Sequence, residues 1–181
     1  MSHRTHQGFT LIELLVAIAI IALLVGITLP ALSKAHASAK SGVCLSNLRE
    51  MGQGFYLFAG AHDGRLPDED SQEAWDALIQ AELGGGAGVF VCPADDEALD
   101  ASDAGYPGLS YGWREWFEVD DPRSSLSGKV LGSVQRTGLI LVFEDLSGRH
   151  SRGMVNAAAV DGSARGYTVG AYLDNMALPA D

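Results

Sequence analysis

Cysteine is nearly absent: Cys44 and Cys92 are the only two in 181 residues. That excludes a disulfide scaffold and a four-thiolate zinc site, and leaves material for one bridge. Basic residues are also scarce, with 12 Lys and Arg against 23 Asp and Glu, a formal charge of −11 whose acidity lies almost wholly after residue 60. A surface of that sign repels phosphate backbones and anionic head groups, so nucleic-acid binding is disfavoured. There is no Gly-rich phosphate loop, no nucleophile elbow and no zinc signature. These absences point away from an enzyme. No internal repeat is visible, and strands do not alternate with helices as in a Rossmann-like sheet. What is present suffices for a core: 47% of residues are apolar and 19% charged, which excludes global disorder. The length fits one ordinary domain with an attached element.

The attached element stands at the N-terminus. After the polar residues 1–8, whose one permanent charge is Arg4, Phe9 to Leu32 form an apolar run in which Glu13 is the only charged side chain. As helix this run extends roughly 36 Å at about 1.5 Å per residue, enough to cross a hydrocarbon core about 30 Å thick. It is apolar on every side, unlike an amphipathic core helix. Arg4 on the short leading side favours a cytoplasmic N-terminus with the remainder outside. A cleaved secretory signal is the competing reading, since Ala37-Ser38-Ala39 and Ala35-His36-Ala37 offer small-residue sites. The run is longer than the roughly 7–15 apolar residues of such a signal, and Glu13 interrupts it. Glu13 itself demands an account, because a carboxylate at the centre of a lipid-buried helix costs about 2.5–3.5 kcal/mol. One turn into the segment the cost is smaller, and a cation on another subunit would offset it.

Gly8-Phe9-Thr10-Leu11-Ile12-Glu13 resembles the processing site of type IV prepilins and type II secretion pseudopilins. The resemblance implies that a membrane prepilin peptidase cuts between Gly8 and Phe9 and that Phe9 is N-methylated. It implies that Glu13 serves assembly by pairing with a neighbouring subunit's N-terminal amine. It also gives Pro30 the role of the helix-loosening proline found there in pilins. Residues 1–8 would then be the leader and 9–32 the transmembrane half of a long helix, with 33–64 as its periplasmic half and 65–181 as an acidic globular domain.

The later sequence supports that division. Cys44, Leu48, Met51, Phe55, Phe58 and His62 recur at spacings of four and three, one helical face. Glycines 42, 52, 54 and 60 weaken this helix by about 1 kcal/mol each relative to alanine, and His62-Asp63-Gly64 followed by Leu66-Pro67 ends it. The expected fold class is α+β, with the long helix packed on a small antiparallel sheet. A short helix is expected over 71–83, from the capping pair Asp70 and Glu73 and the stripe Trp75, Leu78, Ile79, Leu83. Strands are expected at Val89–Cys92, Lys129–Gln135 and Leu139–Glu144. A hairpin is expected through Met154–Val160 and Ser163–Val169, with Asp161-Gly162 as a two-residue turn. Residues 95–128 read as a long surface loop, partly anchored by Tyr106, Tyr111, Trp113, Trp116 and Phe117.

A second resemblance rests on Cys44-Leu45-Ser46-Asn47-Leu48-Arg49, His62-Asp63-Gly64-Arg65-Leu66-Pro67, Phe90-Val91-Cys92-Pro93 and Ser110-Tyr111-Gly112-Trp113. These are similar to segments of type II secretion major pseudopilins and of a processing-associated group marked by His, nine residues, then Asp-Gly. Here ten residues separate His150 from Asp161-Gly162, so the chain departs from that signature.

Cys44 and Cys92 would share an oxidising compartment, and two readings stand, a bridge or two buried thiols. His150 and Asp161 read as hydrogen-bonding groups of a hairpin or as half of an acid–base or metal pair. Asp95, Asp96 and Glu97, with Glu118, Asp120 and Asp121, read as solvated loop charge. Calcium, which some secretion pseudopilins hold in C-terminal loops, is the alternative, and no other cofactor is expected. The resemblance implies a non-enzymatic subunit of a type II secretion pseudopilus or related filament, single-pass in the inner membrane with its domain in the periplasm. Its partners would be sibling pilin-like subunits, the prepilin peptidase and the assembly platform. A minor pilin or adhesin binding an external ligand, or an anchored periplasmic domain of other activity, are the alternatives.

Overall fold

The computed structural model describes residues 10–68, 87–94, 110–113, 122–144 and 154–179. The chain divides into two compact units, Met1–Ser38 and Ala39–Asp181. The layout is α+β, a long N-terminal apolar helix and a four-stranded antiparallel sheet. The first helix, α1 (Leu11–Ala61), starts in the first unit and ends in the second, with Pro30 inside it. The expected short helix over 71–83 lies outside the described residues.

In the second unit the apolar stripe does what its spacing requires. Cys44, Leu48, Met51 and Phe55 are fully buried and Phe58 nearly so, against Leu66, Phe90, Leu126, Leu139, Leu141 and Ala158. Each large side chain removed from water in this way contributes about 1.5–3 kcal/mol, which outweighs the helix penalties of the interspersed glycines. His62 does not join the stripe. It is exposed, its ring stacked on Phe58 with centroids 3.9 Å apart and its Nδ1 2.8 Å from the Phe58 carbonyl oxygen. There it caps the helix end rather than filling the core. The helix stops at Ala61, where His62-Asp63-Gly64 was expected to end it, as Asp63 and Gly64 take left-handed backbone (φ 54° and 77°). The Gly64 amide then donates to the Ala59 carbonyl at 2.7 Å, satisfying one of the helix's last acceptors.

The sheet runs β1 (Tyr111–Trp113), β2 (Ile140–Glu144), β3 (Met154–Ala159), β4 (Ala164–Thr168), each strand antiparallel to the next. The register pairs Tyr111 with Glu144, Phe143 with Ala157 and Val155 with Tyr167, and a bulge interrupts β2 between Ile140 and Val142. The Phe143 ring lies 3.0 Å from where a Cβ would stand on Gly112, so a side chain at that crossing would require the ring to shift. Both faces of the sheet are covered. One face meets α1, and the other carries Phe143, Val155, Ala157 and Tyr167 beneath a C-terminal helix, α2 (Val169–Met176), through Tyr172 and Met176. The apolar sequence of β3, with its last five residues buried, is that of a strand covered on both sides. Asn175 of α2 fastens this layer. Its Oδ1 accepts from the Ile140 amide at 2.9 Å and its Nδ2 donates to the Gly138 carbonyl at 3.1 Å, serving backbone beside the bulge.

Three local expectations give way. Val89–Cys92 is not a strand: Ala87–Phe90 is a 3-10 turn, because the Cys92 bridge to α1 and the Asn47 bond to the Val91 carbonyl tie the run down as a bend. Lys129–Gln135 is a 3-10 turn over Leu131–Ser133, with one bridge pairing Arg65 and Val130. Tyr111–Trp113, expected in a loop, is strand β1. The hairpin occurs at its expected place, but its loop is Val160–Gly162, three residues long, since the Ala159 amide donates to the Ser163 carbonyl. Asp161 keeps negative φ while Gly162 takes +80°, the conformation of a three-residue loop and not of the expected two-residue turn.

Asp161 orders that loop. Its Oδ1 accepts from the Ser163 amide at 2.8 Å, and the Ser163 hydroxyl and amide together hold its carboxyl below the usual carboxylate range. A lowered folded pKa means stability present above about pH 4 and lost as pH falls through that range. Asp161→Asn should therefore be less stable than the parent at pH 7, with a smaller difference at about pH 3. Thermal melts at the two pH values measure it, and an unchanged difference would remove the carboxylate from this role. On α1 the Tyr56 hydroxyl donates to the neighbouring Val160 carbonyl, and its pKa is raised by burial first and by the Asp161 charge second.

Candidate functional site

The chemistry-bearing segment is the start of α1. From Leu11 onward this helix is long and apolar enough to cross a membrane, and none of its apolar window is buried. Leu11, Ile12, Leu15, Ile18, Ile21, Leu24 and Ile27, which together point in all directions around the axis, are exposed. A single soluble domain gains nothing from such a surface, since exposed patches of this size mark contact with lipid or other chains.

Glu13 is the one charged side chain on this surface, and its surroundings are specific. Thr10 precedes the first helical residue. Its amide donates to Glu13 Oε2 at 2.9 Å and its hydroxyl to the same oxygen at 2.8 Å. The Glu13 amide in turn donates to Thr10 Oγ1 at 3.3 Å. This reciprocal pattern is a capping box, satisfying helix-start donors that have no partner within the helix. The carboxylate borders a shallow groove whose other walls are Ile12, Val16, Ala17 and Ile20. Thr10 was not singled out by the sequence reading. The signal was there, because Thr-x-x-Glu before an apolar run is the capping-box spacing.

Pro30 sits inside a continuous α1, where it deprives the Gly26 carbonyl of an amide donor. Two residues earlier the Thr28 hydroxyl donates to the Val25 carbonyl at 3.2 Å, a local side-chain bond of the kind that accompanies a bent or loosened turn. Gly8 and Phe9, the expected processing pair, lie outside the described residues.

Cys44 and Cys92 are bridged, with Cα atoms 5.3 Å apart and a sequence separation of 48. The bridge is flanked by Asn47, whose Nδ2 lies 3.1 Å from the Val91 carbonyl and 3.3 Å from the Tyr111 hydroxyl. The Cys92 amide donates to Ser110 Oγ at 2.9 Å. α1, the 3-10 turn and the approach to β1 are thus joined at one place. The structure brings Asp161 to the β3–β4 loop, while His150 and the acidic clusters at 95–97 and 118–121 lie outside the described residues. Among the described residues no three His, Cys, Asp or Glu side chains gather as metal ligands.

Residues 3–29 match a family model described as a prokaryotic N-terminal methylation motif. No curated protein and no solved structure matches the chain. The matched span contains Gly8, Phe9, Thr10 and Glu13 and ends just before Pro30.

Proposed function

We propose, from the premise that this chain carries a type IV pilin-like, prepilin-type N-terminal domain, that it is a structural pseudopilin of a type II secretion pseudopilus or closely related filament. Such a domain implies cleavage by a prepilin peptidase and assembly with other pilin-type subunits, and its apolar helix implies membrane anchoring. The observation that carries the finer reading is the helix surface over residues 11–32. It is apolar in every direction and unburied, with one carboxylate held at its start. In lipid that surface is satisfied by acyl chains; in a filament the same surface is satisfied by the helices of other copies. Among the described residues the larger core cluster of the domain draws on no residue before Cys44.

In this proposal the peptidase cuts between Gly8 and Phe9, and Phe9 becomes N-methylated. The helix spans the inner membrane once, with the acidic domain in the periplasm, where a disulfide persists. Its charge keeps the outward surface soluble. The subunit acts by assembling on an inner-membrane platform and performs no chemistry of its own. Intact and peptide mass spectrometry of the membrane-extracted protein tests the first step. The expected N-terminus is methylated Phe9; an uncut Met1, or a terminus near Lys40, would overturn the reading.

A further inference from the structure

Between Thr10 and Thr28 the helix carries no polar side chain except Glu13. Among the described residues Thr10 therefore supplies the one side-chain donor to the carboxylate, and it offers its amide as well. Both bonds fall on one oxygen, Oε2, and no partner is present for Oε1 among the described residues. The surrounding side chains, Ile12, Val16, Ala17 and Ile20, bring no compensation.

We propose that Thr10 is a positioning residue for Glu13: it holds Oε2 against the helix start and so keeps Oε1 open for the ammonium of a second copy of this chain. The inference rests on the filament-subunit reading above. Its physical basis is the cost of an unpaired carboxylate in lipid, which hydrogen bonds to a charged acceptor reduce. A carboxylate has lone pairs enough on two oxygens to keep the threonine bonds while accepting an ammonium. The incoming copy then meets an oriented acceptor instead of one that must be recovered from several rotamers, which lowers the ordering cost of association. Thr10 thereby acts before and during pairing, through Glu13 and not on the partner directly.

The test uses the full-length chain with its own machinery, comparing Thr10→Val, which keeps the branched shape and loses the hydroxyl, with Thr10→Ser, which restores it. Three readouts are taken: the fraction of chain beginning at Phe9, the fraction of that cleaved chain recovered in sheared filaments, and the Glu13 carboxylate infrared band. The band is measured in vesicle-reconstituted subunit and isolated as the difference from Glu13→Gln. Thr10→Val should be cleaved like the parent, show a displaced band, and enter filaments about tenfold less well, the loss of one hydrogen bond to a charged group. Thr10→Ser should match the parent within about twofold. An unmoved band in Thr10→Val would overturn the proposal, and so would unchanged incorporation or failure of Thr10→Ser to restore it. Loss of cleavage in Thr10→Val would overturn it as well, placing the threonine in processing instead. Absence of methylated Phe9 in the unsubstituted chain is a different result: it defeats the filament reading and leaves the infrared comparison to decide whether Thr10 holds Glu13.

Discussion

Replacing both Cys44 and Cys92 by alanine is expected to lower the stability of the 39–181 unit by about 4 kcal/mol, from the chain-entropy cost of opening a loop of this size. The bridge spans 48 residues and its two ends are among the most buried positions in the protein. It joins α1 to a 3-10 turn that has no ladder of its own and depends on point attachments, chiefly Asn47 and Ser110. Removing the covalent link returns conformational freedom to the whole connecting stretch in the unfolded state, while the folded state loses little contact. The measurement is thermal unfolding of the full-length protein in detergent, with and without reductant and in the double variant. A fall in Tm of about 10 °C or more is expected, given the usual scaling of Tm with free energy. A shift below about 3 °C would mean that the bridge constrains little and that the point attachments alone hold the turn.

What could be read from the sequence, and what could not, divides along physical lines. The stripe from Cys44 to Phe58 was legible because its period is helical and each member lands on one face. β2, β3 and β4 were legible because their apolar, β-branched and aromatic runs have the length of strands and are separated by turn residues. Val89–Cys92 was not, since a run of four apolar residues carries no period, and its outcome was decided by partners distant in sequence, Cys44 and Asn47. α2 was missed because Val169 directly extends the aromatic and β-branched pair Tyr167-Thr168, with no turn residue to mark a boundary. The mark of its start is Thr168, whose hydroxyl accepts from the Ala171 amide at 3.3 Å. At the N-terminus the sequence spoke through composition and motif, and the structure added the relation between Thr10 and Glu13. That relation is a matter of hydrogen-bond geometry, which no charge count shows.

One helix therefore serves two solvents, and substitutions along it should fall into two energetic regimes. Phe55 is fully buried in the larger core cluster, so Phe55→Ala removes its transfer free energy and leaves a cavity beneath the sheet. The expected loss is about 3–5 kcal/mol. Leu23 on the same helix is 64% exposed and touches no core. Leu23→Ala should leave domain unfolding within about 0.5 kcal/mol of the parent, because nothing that unfolds in the domain depends on it. Urea unfolding of the full-length variants in detergent, followed by tryptophan fluorescence, gives both numbers in one series. The value of the pair lies in the contrast. If Leu23→Ala destabilised the domain as Phe55→Ala does, residues 11–32 would belong to the folded core and the apolar surface would need no lipid or partner. If Leu23→Ala is silent in unfolding yet lowers recovery of the subunit in filaments, the same leucine works only where other helices or lipid surround it. That is the behaviour required of a surface whose stabilising contacts come from outside its own subunit.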